Sequence, residues 1–319
     1  MVGKYIGMAL AAGTAAVGTA ALMIGTPAQA AAPHPIAYVR AGSIYLLSGT
    51  VSTRLTQDAD DARPRWSPDG RRIAYGHSGR LWVINSDGTG RTALTGYPTS
   101  GAAWSPDGRW LAFDAPGCTG LSGVFEVPTT GGTAQPLFPA SCRGTGAPKP
   151  GAARPDRSGD LAARPDRSGD LAARLRADGS VAWSPDGTRI AFRGGQCLAV
   201  VDDCLSVGVV ATGAEQAVAV YGGGGQVLSG FAVVPAWRPD GQRLSWTADQ
   251  DGGTVHVVEA DPSGAGARTV GAPLDRELVY AGTGTALLTG RYRGASWIFR
   301  INLATGTRTP LVPGSQPSV

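Results

Sequence analysis

Histidine and lysine are scarce in this chain, helical periodicity is missing from most of it, and no long apolar run follows the first thirty residues. The only histidines are His34, His77 and His256, and the only lysines Lys4 and Lys149. The histidines show no HExxH or comparable ligand spacing, which leaves a local zinc motif without its residues. Residues 101–105 do not match the G-x-S-x-G elbow that α/β-hydrolases need, and the glycine run at 222–225 lacks the GK[ST] of a phosphate-binding loop. Charge is also thin, at 16% of residues with a net +4. Residues 143–178 hold eight Arg or Lys against five Asp, and with Lys4 they account for the whole surplus. A basic footprint for nucleic acid is therefore absent from the remainder.

What the chain does have is one pentapeptide. Trp-Ser-Pro-Asp-Gly occurs at Trp66 to Gly70, Trp104 to Gly108 and Trp183 to Gly187, with a variant at Trp237 to Gly241 where Arg238 replaces the serine. Short apolar stretches flank each copy, so the unit predicts strand, tight turn, strand. Proline presets one backbone angle, Asp69, Asp107, Asp186 and Asp240 can bond back to nearby amides, and glycine accepts the positive φ of the turn. The four tryptophans offer large apolar faces for burial against a neighbouring sheet. Trp104 follows Trp66 by 38 residues, and Tyr280, in a degenerate sixth unit, follows Trp237 by 43. These intervals match one four-stranded propeller blade. The expected fold is all-β, a six-bladed propeller. Residues 36–55 lack a Trp-containing strand, and residues 316–319 stand in the right place in the repeat to supply it, closing the ring with strands from both ends.

Residues 1–30 read as a signal peptide: Lys4, an Ala-rich apolar stretch, then Ala28-Gln29-Ala30 as a small-x-small cleavage site. A retained membrane anchor is the alternative. Residues 31–319 form one propeller domain in this reading. The tandem decamers AARPDRSGDL at 152–161 and 162–171 contain too few β-branched and aromatic residues to order a sheet. They place an exposed low-complexity insertion at 143–178, either an idle loop or a basic tether. Export makes disulfides permissible. Of the three connectivities that four cysteines allow, the local one pairs Cys118 with Cys142 and Cys197 with Cys204.

The Trp-Ser-Pro-Asp-Gly turn, the Ile-Ala-Tyr or Ile-Ala-Phe strand after it, and an Asp-Gly pair before a final Leu-Thr resemble the β-propeller repeat of TolB-like proteins. The resemblance spans nearly all of 35–319 outside the insertion, without the N-terminal α/β domain of the TolB translocation protein. It implies an exported propeller used for protein association. The expected function is extracytoplasmic protein or ligand binding by a monomer, with no catalytic residue, metal or cofactor assigned and no nucleic-acid partner. A propeller hydrolase or lyase with a cross-blade metal or carboxylate site is the rival. Asp58, Asp60 and Asp61, in the connection between the first two blades, form the candidate partner-binding or cation-binding loop. His77 is expected in a loop and His256 in a strand.

Overall fold

The computed structural model describes residues 34–319 except 98, 120, 147–170, 173, 174, 176, 177, 200, 202, 223–229 and 251–253. The predicted signal peptide and the body of the decamer repeat lie outside the described residues. Six four-stranded antiparallel sheets form the blades of a propeller. Blade one holds β1 to β3 (Ile36–Arg40, Ser43–Ser48, Val51–Arg54) and blade two β4 to β7 (Asp61–Trp66, Arg72–His77, Arg80–Asn85, Thr92–Ala93). Blade three is β8 to β11 (Ala102–Trp104, Trp110–Pro116, Ser122–Pro128, Gln135–Phe138) and blade four β12 to β15 (Ala182–Trp183, Arg189–Arg193, Asp203–Val209, Glu215–Tyr221). Blade five is β16 to β19 (Gly230–Trp237, Leu244–Gln250, His256–Ala260, Arg268–Val270) and blade six β20 to β23 (Arg276–Tyr280, Thr285–Tyr292, Ala295–Asn302, Arg308–Pro313). β24 (Ser315–Ser318) pairs with β1, Ala37 opposite Ser318, and is the innermost strand of blade one. The ring is closed by the last strand, as the repeat spacing predicts.

The second strand of blades two to four shows why the repeats stack. It reads large-small-large: Ile73-Ala74-Tyr75, Leu111-Ala112-Phe113, Ile190-Ala191-Phe192. The two large residues pack toward the preceding blade, and the small one faces the following blade. Ile73 and Tyr75 share a core with Ala37 and Ile44 of blade one, whereas Ala74 lies against Trp104, Leu111 and Phe113 of blade three. Ala112 in turn meets Ile190 and Phe192. Each alanine leaves room for the next blade's aromatic residue, so adjacent sheets interdigitate at core density.

The turn between the first two strands is built by its own side chains. Ser67 Oγ donates to Asp69 Oδ1 (2.6 Å) and accepts from Arg72 N (2.9 Å), and Asp69 Oδ1 accepts from Arg71 N (3.1 Å). The same bonds recur at Ser105 and Asp107 and at Ser184 and Asp186. In the variant turn the Arg238 guanidinium replaces the hydroxyl and binds Asp240 (2.9 Å). The serine bonds hold Asp69, Asp107 and Asp186, and the arginine bond Asp240, below the usual carboxylate range. Gly70 has φ +66°, as Gly108, Gly187 and Gly241 have +69°, +71° and +70°, so the left-handed backbone angle is what demands glycine in this turn.

Cys118–Cys142 and Cys197–Cys204 are disulfide-bonded. Of the described residues in the 143–178 segment, 144–146 are exposed, whereas Arg143, Leu175 and Asp178 dock on the blades. Arg143 donates to Leu137 O and Val210 O, tying blade three to blade four. Leu175 is buried with Phe231, Val233 and Val255 of blade five, and Asp178 is buried as well. Mean composition conceals these anchors, because the few apolar and acidic residues that dock are diluted by the repeat beside them.

Candidate functional site

The six innermost strands line a central channel with two distinct levels. The upper level is a buried ionic cluster that local sequence patterns do not disclose. Arg63, Val234, Glu277 and Gln316 have φ of 52°, 53°, 57° and 58°, left-handed values that non-glycine residues adopt rarely. All four lie on innermost strands, and each strand's register breaks there or at the adjoining residues: β4 between Ala62 and Arg65, β16 between Val233 and Ala236, β20 between Arg276 and Val279, and β24 between its pairings at Ser315 and Ser318. These are β-bulges, which re-aim side chains.

Three of the bulge residues meet. The Arg63 guanidinium binds Asp178 (Nε to Oδ2, 2.5 Å) and pairs with Glu277 Oε1 at 2.8 Å. Arg63 N donates to Gln316 Oε1 (2.8 Å), Gln316 N donates to Glu277 Oε2 (3.1 Å), and Thr289 Oγ1 donates to the same carboxylate oxygen (2.7 Å). Burial by itself would push Glu277 up, but the charges of Arg63 and Arg276 and the donors at Thr289 and Gln316 hold it below the usual carboxylate range. Burial likewise opposes the charge on Arg63, and Asp178 and Glu277 override it.

Below this cluster lies a cavity of about 340 Å³. The four repeat tryptophans, Tyr280 and Arg65 are prominent in its wall, with His34 and Ser67-Pro68 toward the turn face. Three tryptophans are fixed by their indole nitrogens: Trp66 donates to Pro35 O (2.9 Å), Trp104 to Arg65 O (2.9 Å) and Trp237 to Ala182 O (3.1 Å). Trp183 is the exception, its buried Nε1 having no acceptor among the described residues. Arg72 lies over the Trp104 ring (4.9 Å), Arg189 over Trp237 (4.7 Å), and His34 stacks on Trp66 (5.4 Å). These side chains brace the tryptophan rings; of the arginines, Arg65 lines the cavity itself. Arg65 Nη1 donates to Pro64 O (2.9 Å). No carboxylate among the described residues forms an ion pair with it.

The acidic loop differs from its expectation. Asp61 is not in the connection but opens β4, where it is buried, accepts a bond from Thr56 Oγ1 and faces His77 Nδ1 at 2.8 Å. His77 closes β5 rather than lying in a loop, because Asp61 and His77 are register partners across the hairpin. Burial pushes the Asp61 carboxyl up, partly offset by Thr56 and His77. Asp60 is exposed, and the partly exposed Asp58 binds Arg91. Ligand atoms of Asp58, Asp61 and His77 lie within 4.8 Å of one another, a convergence that the sequence did not suggest. Arg91 already supplies a positive charge there. His256 opens β18, its Nδ1 2.9 Å from Thr254 O.

Asp275, just before β20, has a fully buried side chain that accepts bonds from Ala272 N (2.7 Å) and Arg308 (2.6 Å). Burial pushes its carboxyl up to about 6 against those bonds. The folded state then holds this proton more tightly than the unfolded chain. Its contribution to stability is complete below about pH 4 and is lost as pH rises through about 6. The wild-type protein should therefore lose on the order of 2 kcal/mol relative to Asp275→Asn between about pH 4 and pH 7. Urea unfolding of both across that window checks this, and parallel stability curves would contradict it.

With the geometry in place, comparison with known proteins gives a clear answer for the fold. TolB from Acinetobacter baumannii superposes with a TM-score of 0.64 at 15% identity, over 89% of this chain and 66% of that one. A putative TolB from Agrobacterium tumefaciens gives 0.58 at 14%, over 89% and 91%. The chain has the six-bladed propeller fold that these TolB structures share. A chain of a nidogen–laminin complex shares the same architecture at 9% identity, with a TM-score of 0.57 over 89% and 97%. At these identities the likeness is one of fold. No protein-family model matches the sequence, and no curated protein does either.

Proposed function

We propose that this chain is an extracytoplasmic binding propeller whose contact site is the central cavity. The observation that carries the reading is the cavity itself, an aromatic pocket assembled from innermost strands of different blades beneath a buried plug. Its volume is at the low end of the ~300–1,000 Å³ usual for ligand pockets. Two disulfides fit an oxidising compartment, and the signal-like first thirty residues agree with export. Exposed Asp60 and partly exposed Asp58 offer a second contact, but Asp61 is buried and unavailable to a partner.

Because tryptophans form the cavity wall, their fluorescence reports occupancy. Titration of the mature protein with peptides and small organic acids and amides should give a saturable change, abolished by Trp183→Ala and unaffected by Asp58→Asn. Binding that survives Trp183→Ala but is lost on Asp58→Asn would move the site to the blade one–two loop.

The rival reading, a propeller hydrolase or lyase, has one observation in its favour, the convergence of Asp58, Asp61 and His77. It predicts stoichiometric metal in the purified protein and turnover lost on His77→Ala.

A further inference from the structure

We infer that the central cavity selects a carboxylate carried on a flat apolar body, as in an arylalkanoic acid or the free C-terminal aromatic residue of an extended peptide. This rests on the proposed binding role of the cavity and adds the class of ligand.

The argument begins with Arg65. It lies two residues beyond Arg63 on β4 and lines the cavity. Its neighbour Arg63 takes both Asp178 and Glu277 as direct partners. Among the described residues Arg65 bonds only the carbonyl of Pro64, so most of the five donors of its half-buried guanidinium are open to the cavity. Burial, followed by the like charge of Arg63, pushes the Arg65 guanidinium down to about 10, and the more distant Asp178 and Glu277 only partly compensate. A cation held in this position gains from a carboxylate that can accept two parallel N–H bonds. A neutral amide offers a single acceptor oxygen and no charge.

The rest of the wall suits the body attached to that carboxylate. Trp66, Trp104 and Trp237 are held rigidly by their indole bonds and, at 7–8% exposure, offer the cavity a fixed apolar edge against which a flat apolar body packs. Trp183, with no such bond, is the wall that can adjust. Arg72 and Arg189 lie over Trp104 and Trp237 and hold those rings in place without lining the cavity. A phosphate or sulfate alone would satisfy Arg65 but would leave the aromatic walls without a partner.

The test uses the mature protein and four probes: 3-phenylpropanoate, 3-phenylpropanamide, and the peptide Gly-Ser-Gly-Phe with either a free or an amidated C-terminus. Binding is followed by tryptophan fluorescence excited where phenyl groups do not absorb. The free acids should bind at least tenfold more tightly than their amides. Arg65→Gln should erase that preference while the thermal midpoint shows the variant folded, and Arg65→Lys should keep part of it. Preference for the free acid in the phenylpropanoate pair alone assigns a small organic acid, and in the peptide pair alone a chain terminus. Equal affinity for acid and amide overturns the inference while leaving the cavity as a binding site. A saturable change with none of the four probes, nor with the wider panel above, overturns both. Should Arg65→Gln fail to fold, the wild-type acid–amide comparison and Arg65→Lys decide.

Discussion

Arg63→Met is expected to destabilise the propeller by about 3–5 kcal/mol, because it leaves Asp178 and Glu277 buried without their cation. For a domain of this size that is roughly a 10 °C fall in the thermal midpoint. The large value comes from the carboxylates left behind rather than from any net attraction in the intact cluster. The triple variant Arg63→Met, Asp178→Asn, Glu277→Gln should therefore recover much of the loss, since removing every charge also removes the desolvation penalty. Thermal and urea unfolding of the wild type, the single variant and the triple variant check this. A single variant as stable as the wild type would show that the cluster is not closed to water. A triple variant no better than the single would place the cost in lost packing instead of stranded charge.

Deletion of residues 315–319 should have an effect of at least that size. It removes β24 and with it the partner of β1, the Gln316 acceptor for Arg63 N and the Ser318 Oγ acceptor for Trp66 N (3.2 Å). Blade one is then left with an unpaired inner edge beside an open channel, a template for association with other chains. The truncated protein should unfold at much lower temperature, lose exchange protection over residues 36–48 and self-associate. Unchanged protection there would refute closure by β24.

The blades were legible in the sequence because everything that makes them is local. Trp66 to Gly70 and its copies contain the whole hydrogen-bonded turn, and Ile73-Ala74-Tyr75 displays the size alternation that interlocks neighbouring blades. The channel was not legible, because its residues come together only when the ring closes. Arg63 and Arg65 sit in ARPRW, Glu277 in RELVY and Gln316 in SQPSV, where each looks like an ordinary polar residue on a strand. A bulge at a non-glycine residue leaves no mark in composition. Charged residues on strands that a propeller must place innermost were the one available hint. Asp178 was missed for the opposite reason, grouped with a repetitive segment whose average character masks it. Asp61 and His77 met only once the register of β4 against β5 was known.

The pairing of Ala37 with Ser318 has a kinetic meaning. Joining the two ends of a loop of roughly 280 residues costs on the order of 5 kcal/mol in chain entropy, and little of that is recovered until blades two to six have shortened the effective path. Blade one should thus be the last to assemble, late in folding, after every other blade has found its neighbour. A chain emerging in order from a ribosome or an export channel has its earliest strands waiting for its final ones. Until then the outer faces of a nearly complete ring stand open at one seam, and it is at that seam that chaperones, proteases and other copies of the chain would first compete for it.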